Sequence, residues 1–355
     1  MTAVARLGRL RERPELIGLG ALLLAGALLA AVGTRVLTGP FAIIALASVL
    51  ASVVALVLVA VSGTPEARRK IAPYGLLKPG MLWLALFYLA PLFTLLRLSL
   101  STLPSRFAIE ADFDWNFGNY VDAFTDFGPQ FQRAFLYAGI ATVLTIAIGY
   151  PLAYVIAFRG GRYRTLLLGL VVIPFFTSFL IRTIAWRSLL SDNGIIIGAV
   201  DWFRLGGLLE TMQIMDDGRL INTPAAVIFG LTYNFLPFMI LPIYVSLEKV
   251  DVSLVDAAKD LYSTSTAAFT KIVLPLSLPG IFAGTLLTFI PAAGDFVNAA
   301  YLGNPNTTMI GNSIQDQFLV QNNVPLASAM SFVLMAIITV FVVIYSRFFG
   351  TEELA

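Results

Sequence analysis

Cysteine and histidine are both absent from this chain, and charged side chains are scarce at 12 % of its residues. Without thiols there is no disulfide, no thiolate nucleophile and no Cys-type metal site. Without imidazole there is no His ligand and no side chain that ordinarily titrates near neutral pH. Any catalysis would have to run on carboxylates, amines and hydroxyls. A soluble domain of this size carries about twice that charged fraction. The formal charge of +2 leaves no footprint for nucleic acid, so the placement of the charges matters more than their sum. What fills the 355 residues instead is apolar: 58 % are hydrophobic.

Those apolar residues gather into runs. About 20 of them in helical form cross a hydrocarbon core ~30 Å thick. Eight runs of that kind are found, Leu16 to Leu37, Phe41 to Ser62, Met81 to Leu100, Phe131 to Phe158, Thr165 to Leu190, Pro224 to Leu247, Leu276 to Val297 and Pro325 to Tyr345. The predicted class is an all-α polytopic membrane protein. With the N-terminus inside, fifteen of the twenty-three Lys and Arg residues fall on the cytoplasmic side, which predicts that both termini are cytoplasmic. The Arg-rich start followed by an apolar run ending at Ala30-Ala31-Val32-Gly33 has the outline of a secretory leader. The run exceeds the usual leader core and a second full span follows at once, so residues 1–78 are read as a basic tail and a lipid-facing two-helix hairpin. Residues 79–349 form a six-span unit. Over the whole chain the outward side holds twelve acids against eight bases, including Glu110, Asp112, Asp114, Asp122 and Asp126 in the first outer loop of this unit and Asp192, Asp201, Glu210, Asp216 and Asp217 in the second. Such a vestibule either concentrates cations or is simply a solvated surface.

One polar segment, Ser253 to Pro275, interrupts the membrane-grade sequence. Leu254, Ala257, Ala258 and Leu261 recur at helical spacing, with Asp256, Lys259 and Asp260 on the other side. Ser253 followed by Asp256 gives a capping-box-like start. Lys259 is the lone cation on the polar face, too little for a helix held by anionic lipid headgroups. A protein partner is the expected contact.

The spacing of this segment resembles the cytoplasmic coupling loop of ABC importer permeases. Asp256, Ala257 and Ala258 stand at the opening Glu-Ala-Ala triplet of that pattern, and Ile272, Leu274 and Pro275 close it. Tyr262 stands where the family has glycine, a position that usually supplies a positive φ at a helix end. Further segments narrow the resemblance to permeases of spermidine/putrescine importers: Pro174 to Gly194 with Arg182, Thr183, Ala185 and Trp186; Asn222 to Asp251; Gly294, Asp295 and Phe296; and Met309 to Asn312 with Gln317 and Phe318. The resemblance covers most of Met81 to Phe349. It implies a type I importer core of six transmembrane helices, with the first two spans as additions, in a bacterial cytoplasmic membrane. It also implies a second permease subunit, identical or paralogous, a pair of ATPase subunits using ATP and Mg, and an extracytoplasmic substrate-binding protein. The coupling loop, about residues 248–275, would meet the ATPase. This chain has no G-x-x-x-x-G-K-[ST] loop to cradle phosphates, so no cofactor is expected on it and ATP hydrolysis is expected elsewhere.

Ionisable and polar groups at membrane depth point to the ligand pathway. Asp295, after Pro291 and Gly294, is placed near the outer end of the seventh span, where it would either meet an ammonium or pair with Arg182 or Arg187. Trp186, Tyr233 and Tyr301 offer aromatic faces to a cation, or belong to the interfacial belt. Asn234 is placed either on the pathway or in an interhelical hydrogen bond. The expected cargo is a small organic cation such as spermidine or putrescine. Another small solute on the same machine (an amino-acid derivative, a phosphonate or chelated iron) and an ion-coupled secondary transporter using Asp295 are the alternatives.

Overall fold

The computed structural model describes residues 80–349, apart from 82, 106–110, 213, 252, 255–256 and 259–263. The two expected N-terminal spans, together with Asp256 and Tyr262, lie outside the described residues. The chain divides into two compact units, Met1–Arg97 and Leu98–Ala355. The described residues from Gly80 to Ser99 are helical, passing through a π-turn at Ala85–Leu89 into α1 (Ala90–Ser99), within the run expected over Met81 to Leu100.

In the second unit a two-stranded antiparallel pair, β1 (Ser101–Thr102) and β2 (Asp112–Phe113), leads into α2 (Gly118–Arg159), a 42-residue helix. α2 begins well before its apolar run at Phe131. Its first turns hold Tyr120, Asp122 and Asp126, which the sequence places in a loop; a helix is limited by capping and packing, not by hydropathy. Here Asn119 donates to the Ser99 and Ser101 carbonyls at 2.9 Å each and fixes that start.

The expected span Thr165 to Leu190 is two helices, α3 (Arg164–Val172) and α4 (Phe179–Leu190), bent by 96°. Between them the chain tightens into a 3₁₀ turn, Ile173–Phe176, then goes extended at Thr177 (φ −80°, ψ 149°). Pro174 contributes no N–H to continue the ladder, and the Thr177 hydroxyl donates to the Pro174 carbonyl at 2.6 Å, which fixes the corner. The acidic stretch after α4 is ordered rather than a plain loop. It forms α5 (Ile195–Trp202) and α6 (Gly206–Thr211), tied by an Arg219–Asp192 ion pair of 3.4 Å.

α7 (Pro224–Glu248) starts as its sequence dictates: the Thr223 hydroxyl accepts from Ala226 N at 3.1 Å and Pro224 occupies the first turn. α8 (Ser265–Ala268), a π-turn over Phe269–Val273 and α9 (Leu274–Ala293) follow in one continuous path. α10 (Val297–Leu302), α11 (Ile310–Leu319) and α12 (Val324–Phe349) complete the unit. Among the described residues four helices are long and apolar enough to cross a membrane, or five spans if the bent pair counts as one.

α7 lies at the centre. It packs on α2 and α9 in two apolar clusters, one around Phe131, Leu231, Phe289 and Met330, the other around Ile156, Met239, Ile243 and Tyr244. The α7–α9 seam is closed by Gly280 and Gly284, one helical turn apart. A Cβ at Gly280 would stand 2.5 Å from the Pro242 carbonyl oxygen, so the two backbones meet with nothing between them. In lipid, where apolar burial does not drive helices together, such small-residue contact supplies dispersion that larger side chains would prevent.

Candidate functional site

Two regions carry the functional residues. The first is a buried polar cluster where α4, α7 and α10 meet. α9 ends at Ala293, and Asp295 follows in the break before α10, just past the span rather than inside it as the sequence suggests. Asp295 is 7 % exposed, and its Oδ1 accepts from Asn298 N at 2.8 Å, which anchors the first turn of α10. Gly311 of α11 presses against this break so closely that a Cβ there would lie 2.6 Å from the Gly294 carbonyl oxygen and 2.8 Å from that of Asp295. Asn312 donates to the Phe296 carbonyl. The Gly294–Phe296 and Gly311–Asn312 motifs, separate in sequence, are thus one structural joint.

Asn298 is the hub of the cluster. Its Oδ1 accepts from Asn234 Nδ2 at 3.0 Å and from the Thr183 hydroxyl at 3.5 Å, and Asn234 Nδ2 also reaches Thr183 Oγ1 at 3.3 Å. All three side chains are buried. Asn234 Oδ1 and Asn298 Nδ2 have no protein partner, nor does Arg182 Nε. Sequence reasoning found Asn234 but missed Asn298, whose signal was a lone amide in an apolar turn shortly after Asp295. Thr183, part of the resemblance in sequence, joins the site only in the fold.

Arg182 is buried at 8 % exposure, and its guanidinium stands 5.5 Å from the Phe175 ring centroid and 5.6 Å from that of Phe179. It forms no ion pair with Asp295. Among the described residues the ion pairs are Arg164–Glu248 and Arg219–Asp192, so the expected pinning of Asp295 by Arg182 or Arg187 is not found. The aromatic faces take that role for Arg182, since a cation is attracted to the negative face of the ring. Trp186 and Tyr233 are half-buried and meet edge to face at 5.2 Å, which joins α4 to α7 beside the cluster. Tyr301 is half-buried on α10, one turn after Asn298.

The second region is the coupling segment. Ser253, Leu254, Ala257 and Ala258 are helical as expected, but the start is made differently. Ser253 lies inside the helix, and Asp251 Oδ1 accepts from Ser253 N at 2.9 Å. The Asp251 carboxyl is fully exposed and held below the usual carboxylate range by its hydrogen bonds to Ser253. Leu254 and Ala257 are exposed and Ala258 is half-buried, so the described part of the apolar face is presented outward. On the return side Ile272 lies in the π-turn, and Leu274 and Pro275 open α9. Phe269 meets the rings of Tyr150 and Tyr154 edge-on at 5.8 and 5.9 Å.

A bent helix pair, a buried polar cluster and several membrane-length helices describe a polytopic membrane protein. Residues 149–350 match the family described as binding-protein-dependent transport system inner membrane component, and the chain belongs to that family. It is an ABC transporter permease subunit, a membrane component whose ATPase is a separate chain. Among its relatives is the spermidine/putrescine transport system permease protein PotB of Haemophilus influenzae, 38 % identical over 267 residues, covering 75 % of this chain and 90 % of that protein. The PotB protein of Escherichia coli K12 is 34 % identical over 270 residues, covering 75 % of this chain and 93 % of that one. A crystal structure of a bacterial ABC transporter that imports alginate shares the fold, with a TM-score of 0.60 at 18 % identity over 80 % of this chain and 96 % of that chain.

Proposed function

We propose that this chain is the membrane pathway of an ATP-driven importer for a small organic cation such as spermidine or putrescine, working by alternating access in a bacterial cytoplasmic membrane. The observation that carries the cargo class is Asp295. A carboxylate at 7 % exposure, with no cationic partner among the described residues, is costly unless a cation meets it. The unpartnered amide atoms of Asn234 and Asn298 stand in the same cluster and supply the polar contacts a polyamine needs between its charges. Trp186 and Tyr233 add ring faces, each contact with a cation worth about 0.5 to 2 kcal/mol. Arg182, already shielded by Phe175 and Phe179, stands apart from Asp295 in bonding and does not neutralise it.

In the same reading, residues 253–275 face the cytoplasm with both termini. The outward apolar face of Leu254 and Ala257 seats on an ATPase subunit that holds ATP and Mg. A second permease subunit completes the pathway, and an extracytoplasmic binding protein delivers the ligand. Residues 1–78 form an added two-helix hairpin. The test is uptake into proteoliposomes holding the complete complex. ATP-dependent accumulation of labelled spermidine or putrescine is expected, displaced by polyamines and not by phosphonates or amino-acid derivatives. Uptake that persists without the ATPase and collapses with the ion gradient would overturn the reading. Ala257→Asp should release the ATPase on purification while the permease remains inserted; full co-purification of that variant counts against the docking face.

A further inference from the structure

Two charges where α3 begins and α7 ends are each placed against their own helix. Arg164 is the first residue of α3 and Glu248 the last of α7. A helix is partially positive at its N-terminus and partially negative at its C-terminus, so neither charge suits the end it occupies. Across the gap the logic reverses. Arg164 Nη2 lies 2.9 Å from Glu248 Oε1, and the guanidinium stands 4.9 Å from the Tyr244 ring centroid of α7. Arg164 therefore meets the negative end of α7, and Glu248 meets the positive end of α3. The arrangement is favourable only while the two helix ends are together. Tyr244 is buried beneath it among Met239, Ile243 and Leu247, with Leu167, Leu168 and Val171 of α3 packed against that cluster. The two side chains are 32 % and 47 % exposed, so water screens the pair and it can open and re-form.

Its position gives it a task. Glu248 leads within a few residues into the coupling segment, whose return arm is held by α2 through Phe269 and through the Tyr150 hydroxyl, 2.9 Å from Ser277 Oγ. The outgoing arm is thus fastened to α3 and the return arm to α2. These two helices are joined through Gly160 and Gly161. Gly161 has φ +45°, and a Cβ on Gly160 would collide with the Ile156 carbonyl, so this joint admits no larger residue without strain. Beyond α3 the 96° corner turns into α4, which carries Thr183 of the buried cluster.

We propose that Arg164–Glu248 is a latch that makes α3 follow the coupling segment and so carries its movement round the corner to the Thr183–Asn234–Asn298 cluster. This rests on the coupling reading given above. Arg164 and Glu248 are positioning residues: they act through α3 and touch no ligand. The test uses the complete complex in proteoliposomes and reads ligand taken up per ATP hydrolysed. Arg164→Gln and Glu248→Gln should each keep the ATPase bound and hydrolysing while that ratio falls by up to about fivefold, the most that a water-screened pair accounts for. The charge exchange Arg164→Glu with Glu248→Arg restores the ion pair but reverses its contacts with the helix ends, so it should recover part of the ratio. The chain has no cysteine, so the pair Arg164→Cys with Glu248→Cys can be bridged by a short bifunctional thiol reagent, and bridging should also recover the ratio. An unchanged ratio in the single variants overturns the latch, as does a fall that neither the exchange nor the bridge repairs. Loss of the ATPase from the single variants overturns it too, because the pair would then serve docking. The coupling reading itself fails separately, if Ala257→Asp keeps its ATPase.

Discussion

Gly280→Ala and Gly284→Ala are the same chemical change one helical turn apart on the α7–α9 seam, and the structure assigns them different outcomes. In a helix interior each replacement gains about 0.8 to 1 kcal/mol from backbone propensity, while overfilling a tight contact costs about 1 to 3 kcal/mol. At Gly284 the nearest atom to a new Cβ is the Met239 Sδ at 2.7 Å, the end of a flexible side chain that can rotate away. The next contacts there, the Met239 Cα and carbonyl oxygen, stand at 3.3 Å, almost at ordinary van der Waals separation. The two terms nearly cancel. At Gly280 the nearest atom is the Pro242 carbonyl oxygen at 2.5 Å, and the Ser246 Oγ and Cβ follow at 2.6 and 2.8 Å. Ordinary contact begins at 3.4 Å, so the helices must part by about 0.9 Å, and contact is lost along the whole seam. The clash wins, with a net loss of about 1 to 2 kcal/mol after the propensity gain. At about 2 to 4 °C per kcal/mol, Gly280→Ala should unfold several degrees below Gly284→Ala. Tryptophan fluorescence on thermal ramps of the two purified variants in one detergent compares them directly. Equal midpoints, or a higher one for Gly280→Ala, would refute the idea that backbone contact sets the seam.

Asp295→Asn keeps an acceptor for Asn298 N and removes only the charge, so uptake of a cationic ligand should fall with little change in thermal midpoint. Asp295→Ala should lose uptake and also about 1 kcal/mol of stability through the lost hydrogen bond to Asn298 N; equal transport by the Asn variant and the parent would remove Asp295 from the pathway. Asn234→Leu leaves Asn298 Oδ1 with only its longer contact to Thr183, and should destabilise the complex by about 1 kcal/mol, within the range for interhelical hydrogen bonds in membranes. A thermal midpoint unchanged by Asn234→Leu would show that the cluster adds no stability.

How far the sequence carried depends on which physical property each feature obeys. α7 and α12 were visible because hydropathy measures solvation, and a 20-residue apolar run has few other homes. Hydropathy has no sense of direction, so the corner between α3 and α4 was hidden inside one run, although Pro174 marked its place. The early start of α2 was hidden for the opposite reason: its first turns carry Asn119, Asp122 and Asp126, which a solvation scale assigns to water whatever their backbone does. Asp295 and Asn234 were found because a polar atom in an apolar setting is expensive wherever the chain folds. Asn298 became recognisable only when α4, α7 and α10 met, and the Arg164–Glu248 pair only when two helix ends far apart in sequence came together. The glycines of the seam are ordinary in sequence; their value lies in what stands opposite them.

The right-angled corner between α3 and α4 bears on how the chain is built. The two halves, Gly161–Phe176 and Phe179–Trp202, have the length and apolarity of a span only when taken together. The corner between them has extended, unlooped backbone that lipid alone cannot satisfy. Neither half can therefore settle as an independent membrane segment. Both must wait for α7, synthesised later, to give them a wall to lean on. A nascent chain ending before Pro224 should hold this stretch at the translocation pore rather than release it sideways, so that membrane integration of the middle of the protein is a joint event and not a series of single insertions.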